Sequence, residues 1–188
     1  MSETEIAIVG CGPKGLYALD SLFEAARRSP RCRFTVHIFE PSAHPGAGPN
    51  YDPRQPEVLL MNFPAGLINA WTDGRGPSFL EWAAKSPKPV DAGDYVPRAH
   101  VGRYLFWSFE RVVAQSPSNV RLIRHKTRVD AVNRNGDQWH ISPQNITVDH
   151  VLITTGHQDG FRHSATETHD HIPSPFPIDQ RLTQTAVP

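Results

Sequence analysis

Gly10-Cys11-Gly12-Pro13-Lys14-Gly15 has the spacing G-x-G-x-x-G. That spacing lets a backbone turn tightly, approach a pyrophosphate and pack a helix closely on a strand. Gly10 permits the turn, Gly12 removes the side chain that would stand between backbone and phosphate, and Gly15 allows the helix–strand contact. A helix opening here offers unpaired N–H groups and a partial positive charge to the anion. Pro13 suits its first turn, where a missing N–H has no partner to lose, and Lys14 stands beside it. Glu40 is the second residue with a chemical reading. A carboxylate at a strand end accepts hydrogen bonds from the ribose diol of a dinucleotide and repels a ribose phosphate, which disfavours NADP at this first site. Glu40 stands somewhat farther from the loop than the roughly 20 residues usual for this pairing, as a long intervening helix requires.

The flanking elements must hold these groups together. Ile6-Ala7-Ile8-Val9 is a β-branched run ending in glycine and reads as a buried strand. From Lys14 to Arg28 the apolar residues Leu16, Leu19, Leu22, Phe23 and Ala26 recur at helical spacing, and Ser29-Pro30 stops the helix. Phe34 to Phe39 is a second strand, closed by Glu40-Pro41. Strand, helix and strand make a βαβ unit, whose parallel pairing requires a right-handed crossover.

Beyond it, Ser42 to Pro56 is rich in glycine and proline and reads as a long loop, a feature more often functional than incidental. Val58 to Met61 is a short apolar segment. Ser78 to Lys85 and Val101 to Gln115 have the amphipathic spacing of helices. After Val120 the period falls to two. Val120 to Ile123 and Thr127 to Val132 read as a strand with a bend, and Asn135-Gly136 signals a hairpin. Gln138 to Ser142 and Asn145 to Val148 follow as short strands. The second half is thus expected as a small antiparallel meander that returns through Val151-Leu152-Ile153-Thr154, a buried parallel strand ending at Thr155-Gly156. From His157 the chain is polar and proline-containing, so residues 1–157 are read as one domain and 158–188 as a tail or linker. The fold class is α/β: a Rossmann-like fold with a central parallel sheet, helices and a small antiparallel meander.

Several stretches together carry a family resemblance. They are Ile8 to Gly15; Phe39-Glu40-Pro41 with Pro45-Gly46-Ala47-Gly48; Leu59-Leu60-Met61-Asn62; Pro97-Arg98 with Gly102-Arg103-Tyr104-Leu105; and Asp149 to His157. Over residues 5–157 the chain resembles the N-terminal FAD-binding part of the two-dinucleotide-domain flavoproteins, which include glutathione reductase-like enzymes and flavin monooxygenases. Within that superfamily it is most similar to the bacterial FAD/NAD(P)-binding subgroup. Thr154-Thr155-Gly156 stands where the superfamily usually has Ala-Thr-Gly. The resemblance implies that FAD is the cofactor. Gly10, Gly12 and Gly15, with Pro13 and Lys14, would form the pyrophosphate loop, and Glu40 would accept the ribose. Val129 would meet the adenine through its backbone, Thr155 and Gly156 would close over the cofactor, and Asn62 and Arg98 would lie near it. Arg98 reads equally well as a surface ion-pair partner.

Composition narrows the rest. The 188 residues carry 19 basic and 19 acidic side chains, a balance that shows no electrostatic footprint for nucleic acid or an anionic membrane. No apolar run approaches a membrane span, the acidic N-terminus does not resemble a signal peptide, and a cytoplasmic location is expected. Cys11 and Cys32 make neither a disulfide framework nor a metal cluster, and His163, His169 and His171 fall in the polar tail without ligand geometry. No second G-x-G-x-x-G occurs, so NAD(P)H as electron donor would need a protein partner or second domain. Three readings stay open: part of a flavin-dependent oxidoreductase or monooxygenase-like system, a dinucleotide-binding module without its own catalysis, and an NAD-dependent dehydrogenase. The meander and the Thr-Thr-Gly closure count against the last.

Overall fold

In the computed structural model, residues 3–86 and 89–156 are described. β1 (Glu3–Val9) and β2 (Arg33–Phe39) pair in parallel from Glu3↔Arg33 to Val9↔Phe39, with α1 (Pro13–Arg28) as the crossover. β3 (Val120–His125) adds in parallel to β2, and β7 (His150–Ile153) adds in parallel to β1, giving the order β3-β2-β1-β7. The chain therefore builds outward from β1 in one direction and returns to place β7 on the other side. This reversal opens a crevice at the carboxyl ends of β1 and β7, where open parallel sheets take their ligands.

Alternation along the strands supplies two separate cores. Ile8, Val36 and Ile38 pack with Leu16, Leu19 and Phe23 of α1 and with Tyr104, Leu105, Phe109 and Val112 of α3 (Arg98–Ala114). Ala7, Val9 and Phe39 face the other way and meet Ile141 and Val148. Those two belong to the antiparallel sheet of β4 (Ala131–Asn135), β5 (Gln138–Ser142) and β6 (Ile146–Val148). Each large apolar side chain fully buried this way contributes roughly 1.5–3 kcal/mol. Helices on one face and a meander on the other make a layered α/β fold.

Within this frame the helices differ modestly from the sequence reading. α1 matches it. α2 covers only Phe79–Ala83: Ser78 starts it with a capping box to Glu81, and beyond Ala83 the bonds tighten to turns, with the Lys85 N–H donating to Trp82 O and the Ser86 N–H to Ala83 O. α3 begins at Arg98, ahead of Val101, because Pro97 can occupy its N-cap and the first-turn residues need no apolar stripe. The loop from Ser42 to Pro56 contains a 3-10 turn at Pro49–Tyr51, and Pro45, Gly46 and Ala47 are buried in it.

Three strand readings are corrected. β3 belongs to the parallel sheet instead of forming a bent meander strand, since a period of two does not say which edge a strand will join. Val129 lies between β3 and β4 and is not in a strand; there the chain passes from one layer to the other, and its side chain packs on the meander core. β7 is parallel as expected but is not buried, with Leu152 42% and Ile153 62% exposed. Among the described residues it has only β1 beside it. The hairpin forms where Asn135-Gly136 signals it. Asn135 pairs with Gln138, so Gly136 (φ 61) and Asp137 make the turn. The segment 157–188, with His163, His169 and His171, lies outside the described residues.

Candidate functional site

The end of β1 turns at Gly10, whose φ of 84 is in the left-handed region open chiefly to glycine. Thr154 and Thr155, just past β7, cross directly over it. A Cβ on Gly10 would sit 2.8 Å from Thr155 Cα, and one on Gly15 would sit 2.7 Å from the Gly10 carbonyl oxygen. The Thr154 hydroxyl donates to that same carbonyl at 2.5 Å, and the Thr154 N–H donates to Val9 O at 2.8 Å. Gly10 and Gly15 are therefore demanded by the packing of β1, β7 and α1. Gly12 is not. Its φ is −75, and an added Cβ would meet Gly48 Cα at 3.5 Å, an ordinary contact. Gly12 stands at the opening of a 16-residue helix with Pro13 in its first turn and no side-chain cap, and Gly48 is at ordinary contact distance from where its Cβ would be. The first-turn N–H groups of such a helix have no carbonyl four residues back to receive them, so the opening suits an anion.

Glu40 stands across this opening. The Cys11 N–H donates to its Oε2 at 2.7 Å and the Ser42 N–H to its Oε1 at 2.9 Å. A carboxylate oxygen has more than one acceptor position, so both can still accept a hydroxyl. The Glu40 N–H donates to His125 O at 3.0 Å, which ties the end of β2 to the end of β3. Beside Glu40 a cavity of about 180 Å³ opens, walled by Ser42, Pro45, Arg124, His125 and Lys126. The loop after Glu40 folds back on the glycine turn: the Gly46 N–H donates to Cys11 O at 2.6 Å, and Gly48 lies against Gly12 and Pro13. Cys11 itself is buried, and burial, with the Glu40 charge nearby, pushes its thiol up to about 12. The thiol is therefore protonated and unreactive at neutral pH.

The other residues singled out in the sequence form a second group. Leu60 and Pro97 bridge in antiparallel fashion, the Met61 N–H donates to Val96 O at 2.9 Å, and Arg98 Nε donates to Leu60 O at 3.0 Å. Arg98 thus fastens the start of α3 to the Leu59-Leu60 strand segment, and Asn62 stands exposed nearby in sequence. Lys14, Thr155 and Gly156 (φ 74) are exposed, the last two just past the crossing over Gly10. Val129 lies under the meander.

Some roles came from the structure alone. Asp20 on α1 is 5% exposed and accepts from the Thr72 N–H (3.1 Å), the Thr72 hydroxyl (2.6 Å) and Arg75 Nη2 (2.9 Å). Burial would raise this carboxyl, but the bonds from Thr72 and Arg75 outweigh it and hold Asp20 below the usual carboxylate range. An acid on the apolar stripe of a helix was its only signal in the sequence. Asp149 accepts the Glu5 N–H at 2.9 Å while its own N–H donates to Glu5 O, so it locks β7 to β1 in register. Across the sheet, His37 joins Glu5 (2.8 Å) to His125 (2.9 Å), and His125 stacks on Phe39 with centroids 4.5 Å apart. Burial, and then His37, lowers His125 below the ordinary histidine range. Among the described residues no helix is long and apolar enough to cross a membrane.

A family model described as FAD-NAD(P)-binding matches residues 7–158. A nitrosuccinic acid synthase of Aspergillus oryzae is 36% identical over 138 residues, covering 68% of this chain and 21% of its own length. An L-aspartate N-monooxygenase (nitrosuccinate-forming) of Streptomyces davaonensis is 29% identical, covering 94% of this chain and 34% of its own. The chain thus spans 21% and 34% of the length of these two relatives. Among solved structures, Tmm from a Pelagibacter species has a similar fold, with a TM-score of 0.51 at 19% identity over 82% of this chain and 36% of that one.

Proposed function

Since the chain belongs to the FAD-NAD(P)-binding family, we propose that it binds FAD and serves as the FAD-binding part of a monooxygenase-like flavoprotein. The observation that carries the reading is the meeting of three strand ends. Gly10 to Gly15 after β1, Glu40 after β2 and Thr154-Thr155 after β7 converge on one opening at the switch point of the sheet. The pyrophosphate would lie against Gly12, receiving N–H groups of the first turn of α1 at Lys14 and Gly15, with Pro13 shaping that turn. Glu40 would take the ribose diol, held in place by Cys11 and Ser42. The adenine would enter the cavity between Ser42 and Lys126, toward the Val129 backbone. Thr155 and Gly156 would close the crevice from β7, and Asn62 and Arg98 would face the flavin half. Bound flavin would supply the hydride and oxygen chemistry, while the protein orients it.

The relatives point to the kind of system. Two of them are named for N-oxygenation of L-aspartate or for the nitrosuccinate it yields, and we extend to this chain a role in N-oxygenating an amino acid. The NAD(P)H segment and the substrate pocket would come from polypeptide corresponding to the rest of those longer relatives, in the same protein or in a partner. A second reading is a dinucleotide-binding module without its own catalysis, in keeping with the one G-x-G-x-x-G motif of the given sequence. Purified chain should be yellow, with FAD released on denaturation in a one-to-one ratio. A colourless protein that fails to bind added FAD refutes the reading. Anaerobic mixing with NADH or NADPH then separates the two alternatives: bleaching of the flavin marks a complete reductase, and its absence marks the module.

A further inference from the structure

We propose that the groove between α2 and α3 is a second small-molecule site, built for a ligand with a flat apolar body and a carboxylate. It has a volume of about 620 Å³, and its walls include Trp82, Trp107, His100, Arg103, Lys85 and Glu57. That size and an aromatic lining with a few charged groups are usual for ligand pockets.

The groove stands apart from the glycine loop and Glu40, and the two stripes of α3 show why. Gly102, Leu105 and Phe109 form one stripe. Gly102 closes on the Tyr51 carbonyl, and a Cβ on Gly46 would meet the Leu105 carbonyl and Phe109, so this side faces the loop that folds onto Gly12. His100, Arg103 and Trp107, spaced three and four apart, form the opposite stripe. A ligand there touches none of Gly10, Gly12, Gly15 or Glu40.

The walls are packed against one another. The buried Tyr104 ring packs against both indoles, 5.6 Å from Trp82 and 6.4 Å from Trp107 between centroids, and Trp82 also packs on His100 at 5.4 Å. Among the described lining residues the charge is positive on balance. Lys85 and Arg103 oppose Glu57, and Arg103 reaches Glu57 only at 4.0 Å, with 47% of its side chain exposed. A planar ligand fits the indole walls, and its carboxylate can displace Glu57 from the Arg103 fork, which binds carboxylates in bidentate fashion.

The test is an NMR titration of the full ¹⁵N-labelled chain with indole-3-acetate as probe, with Trp82→Phe and Trp107→Phe used to identify the indole N–H signals. Saturable shifts of both signals are expected, and Arg103→Gln, at an exposed position, should weaken binding about tenfold or more without lowering the melting temperature. No saturable shift at either indole, or unchanged affinity in Arg103→Gln, overturns the proposal. Equal binding of the uncharged alcohol tryptophol overturns the carboxylate. Because the groove stands apart from the glycine loop, the result can be read with or without FAD.

Discussion

Replacing Gly12 by alanine separates what the fold needs from what the cofactor needs. The backbone there has φ −75, which alanine adopts without strain, and the new methyl would meet only Gly48, at 3.5 and 3.8 Å. The free protein should fold as before, and the reduced freedom of its unfolded chain could even add about 0.4–1 kcal/mol of stability. On the proposed binding mode, a pyrophosphate accepting N–H groups from the first turn of α1 would lie against Gly12 and be crowded by that methyl. Overpacking of this kind costs about 1–3 kcal/mol, which corresponds to FAD binding weakened about 5- to 150-fold. Titration calorimetry with FAD measures the affinity, and thermal unfolding of the ligand-free protein measures the fold. Gly10→Ala is the contrasting variant. With φ 84 and a Cβ 2.8 Å from Thr155 Cα, it should destabilise the ligand-free protein itself. If Gly12→Ala binds FAD as tightly as the native chain, the loop is only a turn; if it unfolds, the geometric argument is wrong.

Three further outcomes follow from the same contacts. Glu40→Gln keeps one oxygen for the Cys11 or Ser42 N–H but loses the charge-assisted bonds to a ribose; FAD affinity should fall about tenfold, and calorimetry giving an unchanged value would remove Glu40 from the site. Thr154→Val keeps the shape and loses the hydroxyl bond to Gly10 O, so urea unfolding should show a loss of about 0.5–1.5 kcal/mol. Asp20 has a depressed carboxyl in the folded state, so its stabilisation is present above the unfolded value of about 3.9 and is lost as pH falls through the lower, folded one. Asp20→Asn should therefore melt lower at pH 7 and lose less stability on acidification, and parallel melting-temperature curves for the two proteins would contradict the assignment.

How far the sequence could be read depended on the range of each signal. The glycine spacing, the helical stripe of Leu16, Leu19 and Phe23, and the β-branched strands are local patterns, and the βαβ opening followed from them. Glu40 was legible because the end of a strand next to a helix start is a place that the chain order already implies. β3 was not assigned to its sheet: its alternation suits a meander as well as a parallel edge, and only the free edge of β2 decides between them. β7 reads as buried from its apolar run, yet its burial depends on what lies beside it.

By itself, the amino-acid order determined that a glycine turn opens a helix, that a carboxylate ends the next strand, and that a short meander precedes Thr154-Thr155-Gly156. Those are consequences of backbone freedom, side-chain period and charge within a few residues. Only the tertiary structure decided which glycine is structural and which is free for a ligand. The order β3-β2-β1-β7 brings Thr155 within 2.8 Å of where a Cβ on Gly10 would stand and leaves only an ordinary contact beside Gly12. That distinction depends on Gly10 meeting Thr155 and Gly12 meeting Gly48, residues far apart in the chain whose proximity no local pattern specifies.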